Sequence, residues 1–454
     1  MSDVLDMTEG RVRSQILSFF FPMLLTNMLQ QLYTFVDTMI VGKGLGDDPL
    51  AAVGNMGSLT FLIIGFSVGL ANGFSVIIAQ YFGAKQFDKL RHSLAATIKL
   101  CVIIAAGLTV FSLVMLPTAL DILRTDPLIV GDSLTYGRII FGGLFATIAY
   151  NMSAFVLRSF GDSKTPLRAI IVSSVMNIFL DWFFIFVLKT GVEGAAIATI
   201  FSQLVSAWIC IKRIVSVEFA KLSREDFTNP PSVYGLLMKN GIPMACMNSI
   251  TAVGCMVVQY FVNGLGVDYT TSYAACTKYL NLFMQPACTS GSAMSAFTGQ
   301  NTGAGRFDRV KEGLYVCVRI SLVAYVLLGS VMVFFPRFLA GLLINEEASI
   351  RYACQYLPIC GVALIGVDLL FVFRSAVQGM GYPFVPMCSG IMEMVMRVGI
   401  IIAFVGPIGF RATAFAEAGA WVVALLMNMI AFVRVLRSKM YPNRYPFFVK
   451  TVKE

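Results

Sequence analysis

Apolar residues run along this chain in long stretches separated by short polar turns. About 20 apolar residues in a helix cross the hydrocarbon core of a bilayer, and about twelve stretches of that kind can be delimited. Their cores lie near 15–40, 54–80, 94–116, 136–158, 169–188, 195–214, 242–263, 272–298, 314–335, 354–375, 387–406 and 412–434. The pattern predicts an all-α integral membrane protein with twelve transmembrane helices.

The pattern also repeats. "QYFGAKQFDKLRHSL" (80–94) returns as "QNTGAGRFDRVKEGL" (300–314), roughly 220 residues further on. "FPMLLTN", with Pro22 and Asn27, returns as "IPMACMN", with Pro243 and Asn248. "VGKGLG" (41–46) aligns with "VNGLG" (262–266), and "VLRSFGDSKTP" (156–166) with "VFRSAVQGMGYP" (372–383). Six spans return a chain to its starting side, so two six-helix lobes would form a parallel repeat about an axis along the membrane normal. Such lobes can enclose a cavity and rock against each other. The expected organisation is an N-terminal lobe at 1–212, a polar cytoplasmic connector at 213–240, a C-terminal lobe at 241–436 and a basic cytoplasmic tail at 437–454. The repeated phrase falls at the second cytoplasmic turn of each lobe. Its glycine is expected to turn the chain, and its Lys and Arg to hold the turn inside.

Composition narrows the class. Of 454 residues, 57% are hydrophobic and 13% charged, and mean hydropathy is +0.78. A soluble domain carries about 25% charge, so most of this chain belongs in lipid. The net charge of +9 is topological. With the N-terminus inside, "RVR" (11–13), "KQFDKLR" (85–91), "RSFGDSKTPLR" (158–168) and "RFDRVK" (306–311) all fall on the cytoplasmic face, whereas outer turns such as "GLGDDP" (44–49) are acidic. No nucleic-acid partner is implied. The ten cysteines show no CxxC spacing and read as small buried hydrophobes. One histidine, His92, leaves almost no material for a histidine-based catalytic or metal centre, and no cleavable leader is expected. "GQNTGAGR" (299–306) lacks the GxxxxGK[ST] of a phosphate loop, and neither G-x-S-x-G nor H-E-x-x-H occurs. No enzyme and no cofactor are expected.

Ionisable groups inside spans are costly and mark function by default. Asp37 lies late in the first span. Asp181 lies four residues after Asn177, on one helix face, roughly 18 Å from the inner boundary at 1.5 Å per residue. Thr199 lies one turn below the outer edge of the sixth span. Two carboxylates, an amide and a hydroxyl could coordinate Na⁺ through hard oxygen atoms, or the acidic pair could share a proton. The residues alone leave Na⁺ and H⁺ open. In the second repeat, Asp37 falls near Val257 and Asp181 near Val398 or Gly399, so ion coupling is expected to be asymmetric. That half offers Asp368 as well as Glu393 and Arg397, an i,i+4 pair expected to be a structural ion pair between helices. Lys99 and Lys278 are expected to snorkel to an interface. Tyr33, Phe35, Phe155, Met284 and Phe371 are candidates for an apolar substrate cavity.

"LYTFVDTMIVG", "LAAVG" (50–54), "AQYFGAK" (79–85), "LRSFGDSKTPL" (157–167), "NIFLDWFFIF" with "GAAIAT" (194–199), and "GQNTGAGRFDRV" (299–310) together resemble the multidrug and toxic compound extrusion (MATE) transporters. These lie within the superfamily that includes lipid-linked oligosaccharide flippases. The resemblance covers nearly the whole chain. It implies two six-helix lobes forming a V around a central cavity, alternating access, and export of amphipathic, often cationic compounds against inward Na⁺ or H⁺ flow. It assigns the helix-one aspartate to Asp37, the helix-five Asn and Asp to Asn177 and Asp181, and the helix-six Thr to Thr199. The acid that some members carry after the helix-seven proline has no counterpart in "IPMACMNSITAVG", while Asp368 resembles their helix-ten acid. The expectation is a monomeric secondary antiporter of the cell membrane, with both termini cytoplasmic. The alternative is a lipid or lipid-precursor flippase, which would need several cationic side chains for phosphates.

Overall fold

The computed structural model describes residues 4–123 and 125–442. The predicted basic tail lies outside the described residues from 443 onward. Among the described residues the regular structure is helical. The α-helices are α1 Val12–Leu45, α2 Asp47–Gly83, α3 Phe87–Ile122, α4 Val130–Gly142, α5 Leu144–Ser159, α6 Lys164–Trp182, α7 Val192–Ser216, α8 Pro231–Leu265, α9 Val267–Phe283, α10 Gln285–Gly303, α11 Phe307–Phe334, α12 Pro336–Leu343, α13 Glu347–Gly379, α14 Phe384–Ile408 and α15 Arg411–Met440. Helices are forced on such a sequence because lipid offers the backbone no hydrogen-bond partner.

Among the described residues nine of these helices are long and apolar enough to cross a membrane, and α4 with α5, bent by 46°, meets the same criterion as a pair. The bend sits at Gly142 and Gly143. Each predicted span core falls on one helix or on one broken pair. The two that miss the apolar criterion are α1 and the α9–α10 pair. Both carry polar side chains through their length: Asn27, Gln30, Gln31, Thr34 and Asp37 in the first, and Thr277, Lys278, Asn281, Ser290 and Thr298 in the second.

The chain divides into two compact units. One comprises the residues up to Asp6 together with Phe21–Ala245. The other comprises Met7–Phe20 together with the chain from Cys246 on. The first part of α1 therefore belongs to the second unit, and the first part of α8 to the first. The crossings fall beside Pro22 and Pro243, which cannot donate a helical hydrogen bond. In the first unit α7 packs on α5 and α6, and α2 on α5; in the second, α13 packs on α10, α11 and α15, and α15 on α14.

The repeated phrase has a specific task in each unit. In the second unit it clasps the segment that precedes α1. Gln300 Oε1 accepts from Met7 N at 2.8 Å, Arg306 donates to Thr8 O at 2.7 Å, and Arg309 donates to Gly10 O and Gln15 Oε1, each at 2.9 Å. In the first unit it clasps the connector that precedes α8. Arg91 Nε lies 3.6 Å from Asp226 Oδ1, and the Asn229 amide lies 3.1 Å from His92 Nδ1. Lys99 donates to Phe227 O at 2.6 Å, so its charged tip does leave the span for the connector. The glycine expected to turn the chain does not. Gly83 and Gly303 are the last helical residues of α2 and α10, and the left-handed conformation falls two residues later, on Lys85 (φ 56°) and Gly305 (φ 72°). There it closes each helix with backbone bonds back to its last turn.

Candidate functional site

In the first unit, three helices each present a polar i,i+4 pair. These are Tyr33 and Asp37 on α1, Asn177 and Asp181 on α6, and Thr199 and Gln203 on α7. α6 runs into one π-helical turn, Phe183–Val187, immediately beyond Asp181. Ile185 of that turn packs with Val41 of α1 and Ala195 of α7, beside Tyr136 of α4. This small apolar cluster ties the three helices together one turn from the carboxylates.

Asp181 is 0% exposed and Asn177 is 1% exposed, and Asp37 is partly buried. Asp37 and Asp181 are electrostatic neighbours of each other and of Tyr33 and Tyr136. Both oxygens of Asp181, Oδ1 of Asp37 and both polar atoms of Asn177 have no hydrogen-bond partner among the described residues. Ser174 Oγ, Ser202 Oγ and Gln203 Oε1 are likewise unpartnered. Buried polar groups are normally paired, and an unmade bond costs about 1–3 kcal/mol per group. Unmet polar groups gathered at one place can be completed by water, by a cation or by protons. Beside them a cavity of about 10 Å³ is lined by Tyr33, Ser173, Ser174, Asn177, Thr199, Ser202 and Gln203. That is roughly the room one water-sized occupant needs.

The structure thus brings Asp37, Asn177, Asp181 and Thr199 into one unit, around one polar locus. Sequence reasoning missed Gln203, Ser174, Ser202 and Tyr136. The first three continue the i,i+3 and i,i+4 rows through Asn177 and Thr199, and that periodicity was the available signal. Of the five apolar cavity candidates, Tyr33 lines this cavity. Phe155 instead carries the Arg158 guanidinium over its ring at 5.2 Å, and Phe35 is exposed on α1. Met284 and Phe371 pack against the apolar core of the second unit.

In the second unit Asp368 is buried on α13 near Cys288, with both carboxylate oxygens unpartnered. Glu393 and Arg397 both form structural ion pairs between helices, but not with each other. Glu393 pairs with Arg374 of α13, and Arg397 Nη2 donates to Glu417 Oε2 of α15 at 2.9 Å. Both partners point off α14 toward neighbouring helices, where an ion pair spares two buried charges rather than one.

A MatE family model matches residues 22–183 and again 243–405, once in each half. The chain belongs to the MatE family of membrane transporters. It is 29% identical over 349 residues to "Probable multidrug resistance protein YoeA" of Bacillus subtilis, covering 75% of each chain. It is 28% identical over 381 residues to "Probable multidrug resistance protein YpnP" of the same organism, covering 83% of this chain and 84% of the relative. A crystal structure of a MATE protein in the bent conformation superposes with a TM-score of 0.91 at 20% identity, covering 98% of this chain and 99% of the other.

Proposed function

We propose that the protein is a secondary antiporter that exports amphipathic, cationic drugs or metabolites by alternating access. Inward flow of a monovalent cation, Na⁺ or H⁺, through the cluster of Asp37, Asn177, Asp181 and Thr199 drives it. The observation that carries the reading is the meeting of two carboxylates from separate helices inside a membrane-spanning bundle, with most of their oxygens unpaired. Gln203 and the serines of α6 and α7 would add neutral oxygen ligands to a Na⁺, or a hydrogen-bonded path to a proton. The family and the names of the two Bacillus relatives favour export of toxic compounds. The basic turns on one face argue for a cell-membrane carrier with cytoplasmic termini.

A flippase for lipid precursors would need free cationic side chains for phosphates. Arg374 and Arg397 are buried but already paired with carboxylates, which counts against it. The test is efflux of a fluorescent lipophilic cation from proteoliposomes, with Na⁺ and H⁺ gradients imposed separately. Gradient-driven efflux that is lost in Asp37→Asn and in Asp181→Asn is expected, and the effective gradient names the ion. Unchanged coupled efflux in both variants would remove the cluster from the mechanism.

A further inference from the structure

The buried faces of the two repeats can be laid on each other residue by residue. On α6 the buried row is Pro166, Ala169, Ile170, Ser173, Asn177 and Asp181; on α14 it is Pro386, Ser389, Gly390, Glu393, Arg397 and Ile401, at identical spacing, and the left-handed glycines before the two helices, Gly161 and Gly381, keep the same offset. On α7 the buried Ala195, Ala196, Ala198 and Ser202 match Thr413, Ala414, Ala416 and Ala420 of α15, which sets Thr199 on Glu417. On the first helices, Pro22 and Asn27 match Pro243 and Asn248, which sets Tyr33 on Gly254 and Asp37 on Val258. This corrects the sequence-based register. Asp181 falls on Ile401, not on Val398 or Gly399, and Asn177 falls on Arg397.

The substitutions at these matched places are concerted. Where the first unit has the amide of Asn177, the second has a guanidinium, and where the first has the carboxylate of Asp181, the second has the apolar Ile401. Where the first has the hydroxyl of Thr199, the second has the carboxylate of Glu417, held to that guanidinium. Where the first has the Tyr33 ring, the second has Gly254, and a Cβ there would stand 3.0 Å from Arg397 Nη1. The missing side chain makes the room that the guanidinium fills. Arg397 is 2% exposed, yet its Nε and Nη1 have no partner among the described residues. The site therefore uses the charge of the guanidinium more fully than its five donors.

We propose that Arg397 is a tethered cation. In the second unit it fills the counterpart of the place that the Asp37–Asp181 cluster leaves open to a mobile cation. The C-terminal counterpart is thereby closed to exchangeable ions, and coupling is confined to the N-terminal unit. Deleting the tether, while leaving Glu417 and the space beside Gly254, would create a site for a small free monovalent cation. The name "counterpart" rests on the antiporter reading, but the Arg397–Glu417 site can be tested by itself.

The test places Arg397→Ala, and separately Arg397→Ala/Glu417→Gln, in a chain whose first-unit acids are already Asp37→Asn/Asp181→Asn. Melting temperature is followed against NaCl and against methylguanidinium chloride, at ionic strength held constant with N-methylglucamine. A saturable rise of about 2 °C or more in the Arg397→Ala chain, absent in the parent and in the Glu417→Gln chain, is the expected result. No cation-specific rise, or an equal rise without Glu417, overturns the proposal. If the Arg397→Ala chain does not fold unaided, its recovery when purified in methylguanidinium supports the proposal. Failure to recover it with either cation, while Arg397→Met/Glu417→Met folds, overturns it. Since all of these variants lie in the second unit, their outcome is separable from that of the Asp37 and Asp181 efflux test.

Discussion

Gln203 separates two roles that the carboxylates combine. In the proposed mechanism the carboxylates of Asp37 and Asp181 hold the coupling cation by charge, so replacing either by Asn is expected to remove the driving interaction. Gln203 lines the same cavity with an unpartnered Oε1 but carries no charge. Gln203→Leu is therefore expected to leave maximal export near the wild-type rate and to raise the cation concentration for half-maximal export about 3- to 10-fold. Efflux rate against cation concentration checks this, and an unchanged half-maximum would take Gln203 out of the ligand set. At this scale the sequence was legible wherever a charge interrupted an apolar run, as at Asp37, Asp181 and Asp368. It was not legible where the polar residue was neutral, because Ser174, Ser202 and Gln203 look the same whether they line a cavity or back-bond to their own helix. Nor could it pair Glu393 and Arg397 correctly. Residues four apart on one helix are near in sequence, but their partners Arg374 and Glu417 come from α13 and α15.

At the scale of elements, close backbone approach and loop attachment make separate predictions. α2 carries Gly69 and Gly73 one turn apart, facing the first part of α8. A Cβ on Gly69 would stand 2.5 Å from Ala245 Cα, and one on Gly73 would strike the Asn240 carbonyl oxygen. Helices in lipid associate through such small-residue faces. Gly73→Val is expected to cost about 1–3 kcal/mol, read as a lower melting temperature in detergent; a neutral result would show that the helices can separate freely. The connector is held differently. Burial alone would raise the Asp226 carboxyl, but the Ser223 N–H and hydroxyl, at 2.6 and 2.8 Å, together with Arg91 and His92, hold it below the usual carboxylate range. A depressed folded value gives stability that is present above about pH 4 and lost as pH falls through that folded value. Hydrogen exchange at 221–230 should therefore accelerate on acidification below about pH 4. In Asp226→Asn it should be fast already at pH 7, and slow exchange there would dismiss the carboxylate as the anchor. The repeated phrase was visible in the sequence, but its role as a clasp was not. It grips segments hundreds of positions away, Met7 in one case, with residues that differ between the copies.

The largest-scale feature is the exchange of helix ends. The repeat was legible because it is written as similar words in order, but nothing in a linear pattern says that a helix changes allegiance midway. In the first unit, Leu237 and Ala245 of α8 complete an apolar cluster with Leu70, Phe74 and Met152. In the second, the segment from Met7 to Gln15 supplies backbone acceptors and a side chain to Arg306 and Arg309, and Ile16 lies beside Gly313. A chain cut before α8 gives two fragments, each lacking a piece of its own unit that the other fragment holds. Fragment 1–230 would expose the Leu70–Phe74 face, and fragment 231–454 would leave Arg309 and Asn301 without the acceptors at Met7 and Gly10. Neither is expected to be recovered as a stable, monodisperse species alone. Expressed together they are expected to copurify and to restore export, because both crossings lie within a fragment rather than at the cut. Size-exclusion profiles of each fragment and of the pair check this. A stable lone fragment with the melting temperature of the whole chain would mean that the exchanged ends are passengers. Rescue by the pair alone would mean that each half of the transporter is built partly from the other.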